Sequence, residues 1–346
     1  MEIKLKYGCN PHQKYARLVI EQEPSPLQVL NGQPGYINLL DAMGAFQLAQ
    51  ELRTATGQPG AASFKHVSPA GAAIAKPLTD IFRSSQMIPD EEELSPVTTA
   101  YARARGGDRL CSFGDVAAVS DSVDESLALF LKREVSDAII APAYEPEALK
   151  ILKAKKGGNF LILQMDPDYR PPEVETRDLY GFRLEQSRNS APIGPEILAN
   201  VVSQKKTIPQ DAQESLLVAT IALKYTQSNS VSLAYEGQII GVGAGQQSRV
   251  HCTRLACDKA DKWLLQQHPR VINLEFKEGL GRTEKTNAID QFLLWDQLSD
   301  AEMKGLMDAL AEPPEPLSRE EKRDWISRFD GIVMSSDAFF PFADGL

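Results

Sequence analysis

The sequence contains few cysteines and histidines, the residues that form disulfide bonds in small folds or bind zinc. Its 346 residues include four cysteines and four histidines, without CxxC, HxxxH or HExxH spacing. So few cysteines in a chain of this length argue against a disulfide scaffold and favour a reducing compartment. The missing ligand spacing predicts that no zinc site is present.

Long apolar runs and an excess of positive charge are also missing. No run approaches the roughly 20 residues of a membrane span, and the charged N-terminus lacks the apolar core of a signal peptide. The net charge is −10, which argues against a general nucleic-acid-binding face. We therefore expect a cytoplasmic protein with neither a nucleic-acid nor a membrane partner.

Apolar strands that alternate with helices predict an α/β fold with a largely parallel sheet. The proline-rich stretch 166–172 is the clearest linker. A hairpin is predicted over 230–242. Helices are predicted over 37–53, 96–105, 123–133, 146–156, 209–225 and 248–267, and apolar strands over 61–66, 137–141 and 159–164.

The stretch Ser63–Ala73 places Lys65 beside His66. Ser68 and Pro69 suit the cap and first position of a helix, whose free N–H groups would attract an anion. Histidine is a common general base at cellular pH, and a neighbouring lysine stabilises a developing oxyanion. The alternative is a buried strand end with a satisfied histidine and a surface lysine.

Three later segments also leave alternatives open. Thr226–Ser230 is either a polar helix end or a site where Asn229 recognises an amide beside a monovalent cation. Gly241–Arg249 is not a dinucleotide loop, because it lacks GxGxxG spacing and follows a hairpin strand. It is either a tight turn or a place of close ligand approach. Ser335–Phe342 is either core or the wall of a flat heteroaromatic site.

Nine motifs, in order along nearly the whole chain, resemble one family. This is the transformylase portion of the bifunctional aminoimidazole carboxamide ribonucleotide (AICAR) formyltransferase/IMP cyclohydrolase family. The motifs are KYGCNPHQ, LNGQPGYINLLDA, SFKHVSPAGAA, AYARARGGDRLCSFGD, SDAIIAP, KYTQSNSV, GVGAGQQSRVHCTRLA, TNAIDQ and SSDAFFPF.

The resemblance implies a fold of two cytidine-deaminase-like three-layer α/β domains, one partly inserted in the other. The first would comprise residues 1–172 plus about 270–330, and the second about 173–269 plus 331–346. It further implies an intertwined homodimer with active sites at the interface, no zinc, and a potassium ion.

The implied reaction moves a formyl group from 10-formyltetrahydrofolate to the amine of AICAR, on the way to IMP. By resemblance His66 is the proton acceptor, Lys65 stabilises the transition state, and Asn229 orients the reacting groups. Substrate-binding positions are Lys6, Tyr7, Asn38, Gly114, Asp137, Lys156, Arg249 and Phe339, the last on the folate side. Further folate positions are Val250, Asn287, Pro341 and Asp344. The potassium shell is Leu223, Thr226, Ser228, Ser230 and Asp337.

One departure from the family pattern opens alternatives. Family members continue past the FFPF motif with a unit that carries a phosphate-binding arginine, whereas this sequence ends at Leu346. A natively truncated chain is expected to lose affinity and stability. A non-catalytic nucleotide- or folate-binding relative is therefore the main alternative. Free formate, used through a partner, is an alternative donor. A deaminase-type hydrolase is a weaker hypothesis, because the HxE…PCxxC zinc signature is absent.

Overall fold

The computed structural model describes residues 1–340, which form a mixed α/β fold. The strands are β1 (Glu2–Lys4), β2 (Arg17–Val19), β3 (Leu27–Asn31), β4 (Gly60–Lys65), β5 (Ser68–Ile74), β6 (Asp115–Val119), β7 (Ser136–Ala141), β8 (Leu161–Met165), β9 (Val174–Leu179), β10 (Phe182–Ser187), β11 (Val231–Tyr235), β12 (Gln238–Gly243) and β13 (Val333–Ser336). The helices are α1 (Tyr36–Thr56), α2 (Asp80–Ser85), α3 (Pro96–Gly106), α4 (Glu125–Arg133), α5 (Pro146–Ala154), α6 (Gln210–Lys224), α7 (Arg249–Leu265), α8 (Pro269–Ile272), α9 (Arg282–Leu293), α10 (Asp300–Ala309) and α11 (Arg319–Ile326).

Within residues 1–340, nine strands form one mixed sheet in the order β13-β11-β12-β5-β4-β6-β7-β8-β3. Only the neighbours β6, β7 and β8 are parallel. The expectation of a largely parallel sheet is therefore wrong outside these three strands. Short turns join β4 to β5 and β11 to β12, and a connection of that length can only link antiparallel strands.

The helix predicted to start at Ser68 is also wrong, because this segment is strand β5. It pairs with β4 from Lys65↔Ser68 to Gly60↔Ile74, with a register shift between Ser63 and Phe64. Such an irregularity accommodates Pro69, which has no N–H to donate to the sheet. The small residues that resembled a bare helix start instead let α3 lie close to β5. A Cβ added at Gly71 would lie 2.0 Å from the carbonyl oxygen of Ala104.

Helices cover both faces of the sheet, and the side chains of β4 and β5 alternate between the two cores. Ala62 and Ala72 pack with α1 and α6, whereas Ala61 and Ala73 pack with α3, α4 and α7. A third apolar cluster joins α8, α9, α10 and α11. This is a layered α/β architecture. Its division into two cytidine-deaminase-like domains stays a prediction.

The hairpin β9–β10 follows the predicted linker and was missed by sequence periodicity. Within the described chain its strands pair only with each other, and most of their side chains are exposed. Leu179 pairs with Phe182, which is 71% exposed, so one face of the hairpin presents apolar side chains to solvent. A separate finding concerns membranes: none of the helices in residues 1–340 is long and apolar enough to span a bilayer.

Replacing Gly71 by alanine should destabilise the fold, because the new methyl group collides with backbone of α3. We expect the free energy of unfolding, measured in urea, to fall by at least about 2 kcal/mol. Gly305→Ala is the matched control, since a Cβ at this position of α10 meets nothing within 4 Å. It should stabilise by about 0.5–1 kcal/mol through helix propensity. An unchanged stability of Gly71→Ala would contradict the close approach of α3 to β5.

Candidate active site

The sheet register brings the predicted site residues to one edge, which we call the site edge. Lys65 pairs with Ser68 at the end of β4, and Phe64 pairs with Val116 at the start of β6. Farther along, Val231 pairs with both Gly243 and Ser336. The site edge therefore comprises the starts of β5, β6, β7, β8 and β11 and the ends of β3, β4, β12 and β13. Residues far apart in sequence meet there because the strands are in register.

Lys65 and His66 stand where β4 turns into β5. His66 and Val67 occupy the two turn positions with φ of 55° and 62°, and both are exposed. Neighbours on a strand point to opposite faces, but His66 is in the turn and is free of that alternation. The Lys65 Nζ donates to the carbonyl oxygen of Phe113 at 2.6 Å. Both side chains are therefore held at the same sheet edge.

Asn38 and Asp41 support this region from α1. The sequence pattern predicts Asn38 as the cap of this helix, with Asp41 three residues later, but the structure uses both residues differently. Gly35 is the N-cap, and its N–H donates to Asn38 Oδ1 at 3.1 Å. Asp41 instead accepts the N–H of Val67 through Oδ1 at 2.5 Å. Burial raises the pKa of Asp41, while the hydrogen bond from Val67 opposes the shift. Sequence reasoning missed this contact, whose signal was a carboxylate among the buried positions of α1.

The positions expected to hold the nucleotide lie along the same edge. Gly114 has φ of 80°, and a Cβ there would lie 3.6 Å from Asp137 Oδ2. The Nζ of Lys156 is 2.5 Å from Asp137 Oδ1, in a pair that is more than one-third exposed. Lys6 is tied to the start of α1 by its N–H, which donates to the carbonyl oxygen of Pro34. Tyr7 follows it and is exposed.

A buried ion network holds the loop that receives Lys65. Arg105 donates to Asp115 Oδ1 at 2.8 Å, to Glu134 Oε2 at 3.2 Å and to the carbonyl oxygen of Ser112 at 2.7 Å. Burial lowers the pKa of Arg105, but Asp115, Tyr101 and Glu134 more than reverse this and raise it. Sequence analysis did not anticipate the network, because its members are spread over α3, β6 and the end of α4.

A second cluster lies at the site edge of β11, β12 and β13. Arg249, at the start of α7, donates to Asn229 Oδ1 at 2.7 Å and to the carbonyl oxygen of Ser230 at 2.8 Å. It also forms an ion pair with Asp337. Burial opposes ionisation of Asp337, yet hydrogen bonds from Ser228, Ser230 and Arg249 lower its pKa. The amide of Asn229 and the guanidinium of Arg249 are therefore already held together, next to the carboxylate of Asp337.

Several residues expected to hold a monovalent cation belong to this cluster or adjoin it in sequence. The hydroxyl of Ser230 is buried and has no hydrogen-bond partner among residues 1–340. Thr226 follows α6, where its N–H donates to the carbonyl oxygen of Leu223. Such a hard oxygen set fits an alkali cation rather than zinc. In the described part of the chain, no three His, Cys, Asp or Glu side chains converge as a metal site.

The two clusters stand on neighbouring strands of the sheet. β5 and β12 pair at one described position, Gln238↔Ala73, near the opposite edge. Lys65 and His66 lie beside the start of β5, whereas Asn229 and Arg249 lie beside the end of β12. The fold thus brings both clusters to the same edge of the sheet.

Comparison with known proteins decides the family. A family model described as the AICARFT/IMPCHase bienzyme matches residues 1–259. The chain belongs to this family. The family expected from the nine sequence motifs is confirmed.

Three curated proteins similar to the chain are each named bifunctional purine biosynthesis protein PurH. The Roseobacter denitrificans protein is 28% identical over 347 residues, or 99% of this chain and 51% of the relative. The Sorangium cellulosum protein is 30% identical over 74% of this chain and 46% of the relative. The Sinorhizobium fredii protein is 31% identical over 75% of this chain and 45% of the relative. The chain spans about half the length of these relatives.

The folate positions expected from the AICARFT/IMPCHase bienzyme family are more scattered. Val250 follows Arg249 in α7, and Phe339 is 81% exposed after β13. Asn287 in α9 lines a cavity of about 490 Å³ together with Leu110 and Glu284. Leu110 belongs to the same loop as Phe113, whose carbonyl oxygen accepts from Lys65. Pro341 and Asp344 lie outside the described residues.

Replacing Arg105 by methionine should destabilise the protein strongly, because Asp115 loses its buried ionic partner and Glu134 keeps only Arg282. We expect the free energy of unfolding to fall by about 3–5 kcal/mol. Arg183→Met is the control, since its pair with Asp178 is on the exposed hairpin and should leave stability unchanged. Equal effects of the two substitutions would show that the Arg105 network does not hold the loop.

Proposed function

We propose that this chain catalyses formyl transfer from 10-formyltetrahydrofolate to the amine of AICAR, as a step of purine biosynthesis. The observation that carries the proposal is the exposed turn that presents His66 beside Lys65 at the site edge. Family membership and the names of the relatives support the same conclusion. The alternative of a non-catalytic nucleotide- or folate-binding relative is separated from it by the turnover experiment below.

The chemistry requires a base and a stabilised oxyanion. The AICAR amine is conjugated with its ring and is a weak nucleophile, so its proton must be removed as its nitrogen attacks the formyl carbon. His66 takes that proton, and Lys65 stabilises the negative charge on the formyl oxygen. The bond from the formyl carbon to N10 of the folate then breaks. N10 receives a proton, and tetrahydrofolate leaves.

Binding of AICAR is proposed to use both clusters at the site edge. Arg249 and Asn229 offer a guanidinium and an amide, which suit hydrogen bonds with the substrate carboxamide. Asn38 is proposed to contact the same carboxamide side. Lys6 and Lys156 supply positive charge for the phosphate end, with Tyr7, Gly114 and Asp137 around them. Binding the nucleotide between the two clusters would bring its amine to the His66 turn.

The folate is proposed to lie on the side of Asn287. The adjoining cavity of about 490 Å³ falls within the range of small-molecule sites, roughly 300–1,000 Å³. Val250 and the exposed ring of Phe339 would add apolar contact to the pterin. Pro341 and Asp344 would complete this side.

We also propose that the chain works as a homodimer with active sites at the interface. The hairpin β9–β10 supports this, because Leu179, Phe182 and Leu184 are each more than half exposed. Exposed apolar side chains on an isolated hairpin are a common mark of an interaction surface. A second copy would cover them and bring further side chains toward the site edge.

A potassium ion is proposed to stabilise the Asn229 side, held by Thr226, Ser228, Ser230, Asp337 and the carbonyl oxygen of Leu223. Replacing potassium by tetramethylammonium at constant ionic strength should then lower the melting temperature, since a bound ion stabilises only the folded state. In Ser230→Ala the difference between the two salts should shrink, whereas the exposed Ser203→Ala should keep it. Equal melting temperatures of the wild type in both salts would contradict the ion site.

His66→Ala should lower kcat by about two to four orders of magnitude, because the general base is lost. The KM for AICAR should change far less. The measurement is tetrahydrofolate released from AICAR and 10-formyltetrahydrofolate, with free formate as a comparison donor. His268→Asn is the control, because His268 caps α8 through Nδ1 and asparagine preserves the cap. Calorimetric binding of AICAR without turnover by the wild type would instead favour the non-catalytic relative.

A further inference from the structure

The turn that carries His66 is unusual in its composition. Both of its central residues have positive φ, and neither is glycine or asparagine. Two-residue hairpin turns of this type strongly prefer Asn-Gly or Gly-Gly, because other side chains crowd the backbone there. A β-branched residue such as Val67 with positive φ is an outlier. Such a conformation persists only where surrounding contacts enforce it.

The enforcing contact is a hydrogen bond from outside the hairpin. The N–H of Val67 donates to Asp41 Oδ1 at 2.5 Å. Asp41 is 4% exposed, although Val67 is 44% exposed. A buried carboxylate beneath an exposed turn thus holds the backbone from below, while His66 itself remains exposed.

The support beneath Asp41 is rigid. Gly44 lies three residues farther along α1, on the same face of the helix. A Cβ at Gly44 would lie 3.0 Å from Phe64 Cε1, so the absent side chain lets α1 lie close to β4. Phe64 is itself buried in the core below the turn. Because α1 is packed against the strand that leads into the turn, the carboxylate and the turn keep a fixed separation.

We propose that Asp41 is a positioning residue that fixes the backbone of the His66–Val67 turn and thereby aims His66 at the substrate amine. This inference rests on the proposed role of His66 as proton acceptor. Asp41 itself touches neither substrate nor reacting atoms. Its contribution follows from geometry, because proton transfer requires the base within hydrogen-bond reach of the amine.

The test compares Asp41→Ala with Asp41→Asn. Alanine removes the acceptor, so we expect kcat to fall about tenfold to a hundredfold, the typical result of misplacing a catalytic group by about 1 Å. Asparagine keeps an Oδ1 acceptor and should retain most of the wild-type kcat. The KM for AICAR should change little in either variant. Hydrogen exchange of the Val67 amide should accelerate in Asp41→Ala and remain slow in Asp41→Asn.

A third variant separates positioning from general destabilisation. Glycine tolerates positive φ, so Val67→Gly in the Asp41→Ala background should recover part of the lost kcat by relieving the turn. A merely structural role of Asp41 predicts no such recovery.

Failure of the inference differs from failure of the proposed function. If the wild type shows no turnover, the proposed function fails, whereas amide exchange still reports whether Asp41 holds the turn. If His66→Ala is inactive but Asp41→Ala retains both kcat and a protected Val67 amide, the positioning role is overturned. Equal losses in Asp41→Ala and Asp41→Asn would overturn it as well, because charge rather than the hydrogen bond would then matter.

Discussion

The antiparallel pairing of β4 with both β5 and β6 is the constraint on which the candidate site depends. It places the end of β4 next to the start of β6, and so the His66 turn next to Gly114. Small residues let the helices on both faces pack closely against these strands. Because Gly44 has no side chain, α1 can lie close to β4 on one face, and Gly71 likewise lets α3 lie close to β5 on the other. The two catalytic candidates are therefore anchored by a closely packed part of the molecule.

Charge is organised in two different ways around this centre. Arg105, Asp115 and Glu134 are buried and mutually paired, which suits them to fix a loop rather than to react. Lys65, His66 and Lys156 are partly or fully exposed at the site edge and can meet a ligand. The Arg249 cluster combines both features, since its guanidinium is buried while the asparagine beside it is half-buried. Buried ion pairs thus position the exposed groups that carry the proposed chemistry.

Sequence patterns located most elements on both sides of the linker, because amphipathic helices and apolar strands leave a periodic signal. Ser95 and Ser318 cap α3 and α11, and a serine directly before a helical pattern is a local signal of this kind of cap. The segment from Ser68 was misread, since a serine, a proline and small residues satisfy a helix start as well as a tightly packed strand. The contacts of Asp41 with Val67 and of Arg105 with Asp115 and Glu134 were not predicted, because these partners are distant in sequence and no local pattern encodes such contacts.

The sequence by itself determined the family, because the order and the residue types of the nine motifs can be recognised without a structure. It also determined the candidate list, from Lys65 and His66 to Asn229 and Arg249. Only the tertiary structure decided that Lys65 and His66 share one sheet edge, because that depends on a turn rather than on strand alternation. It also decided that the second cluster stands at the same edge of the sheet, beside the end of β12. Both placements depend on strand register and burial. These arise from pairing between residues far apart in the chain, which the local sequence does not specify.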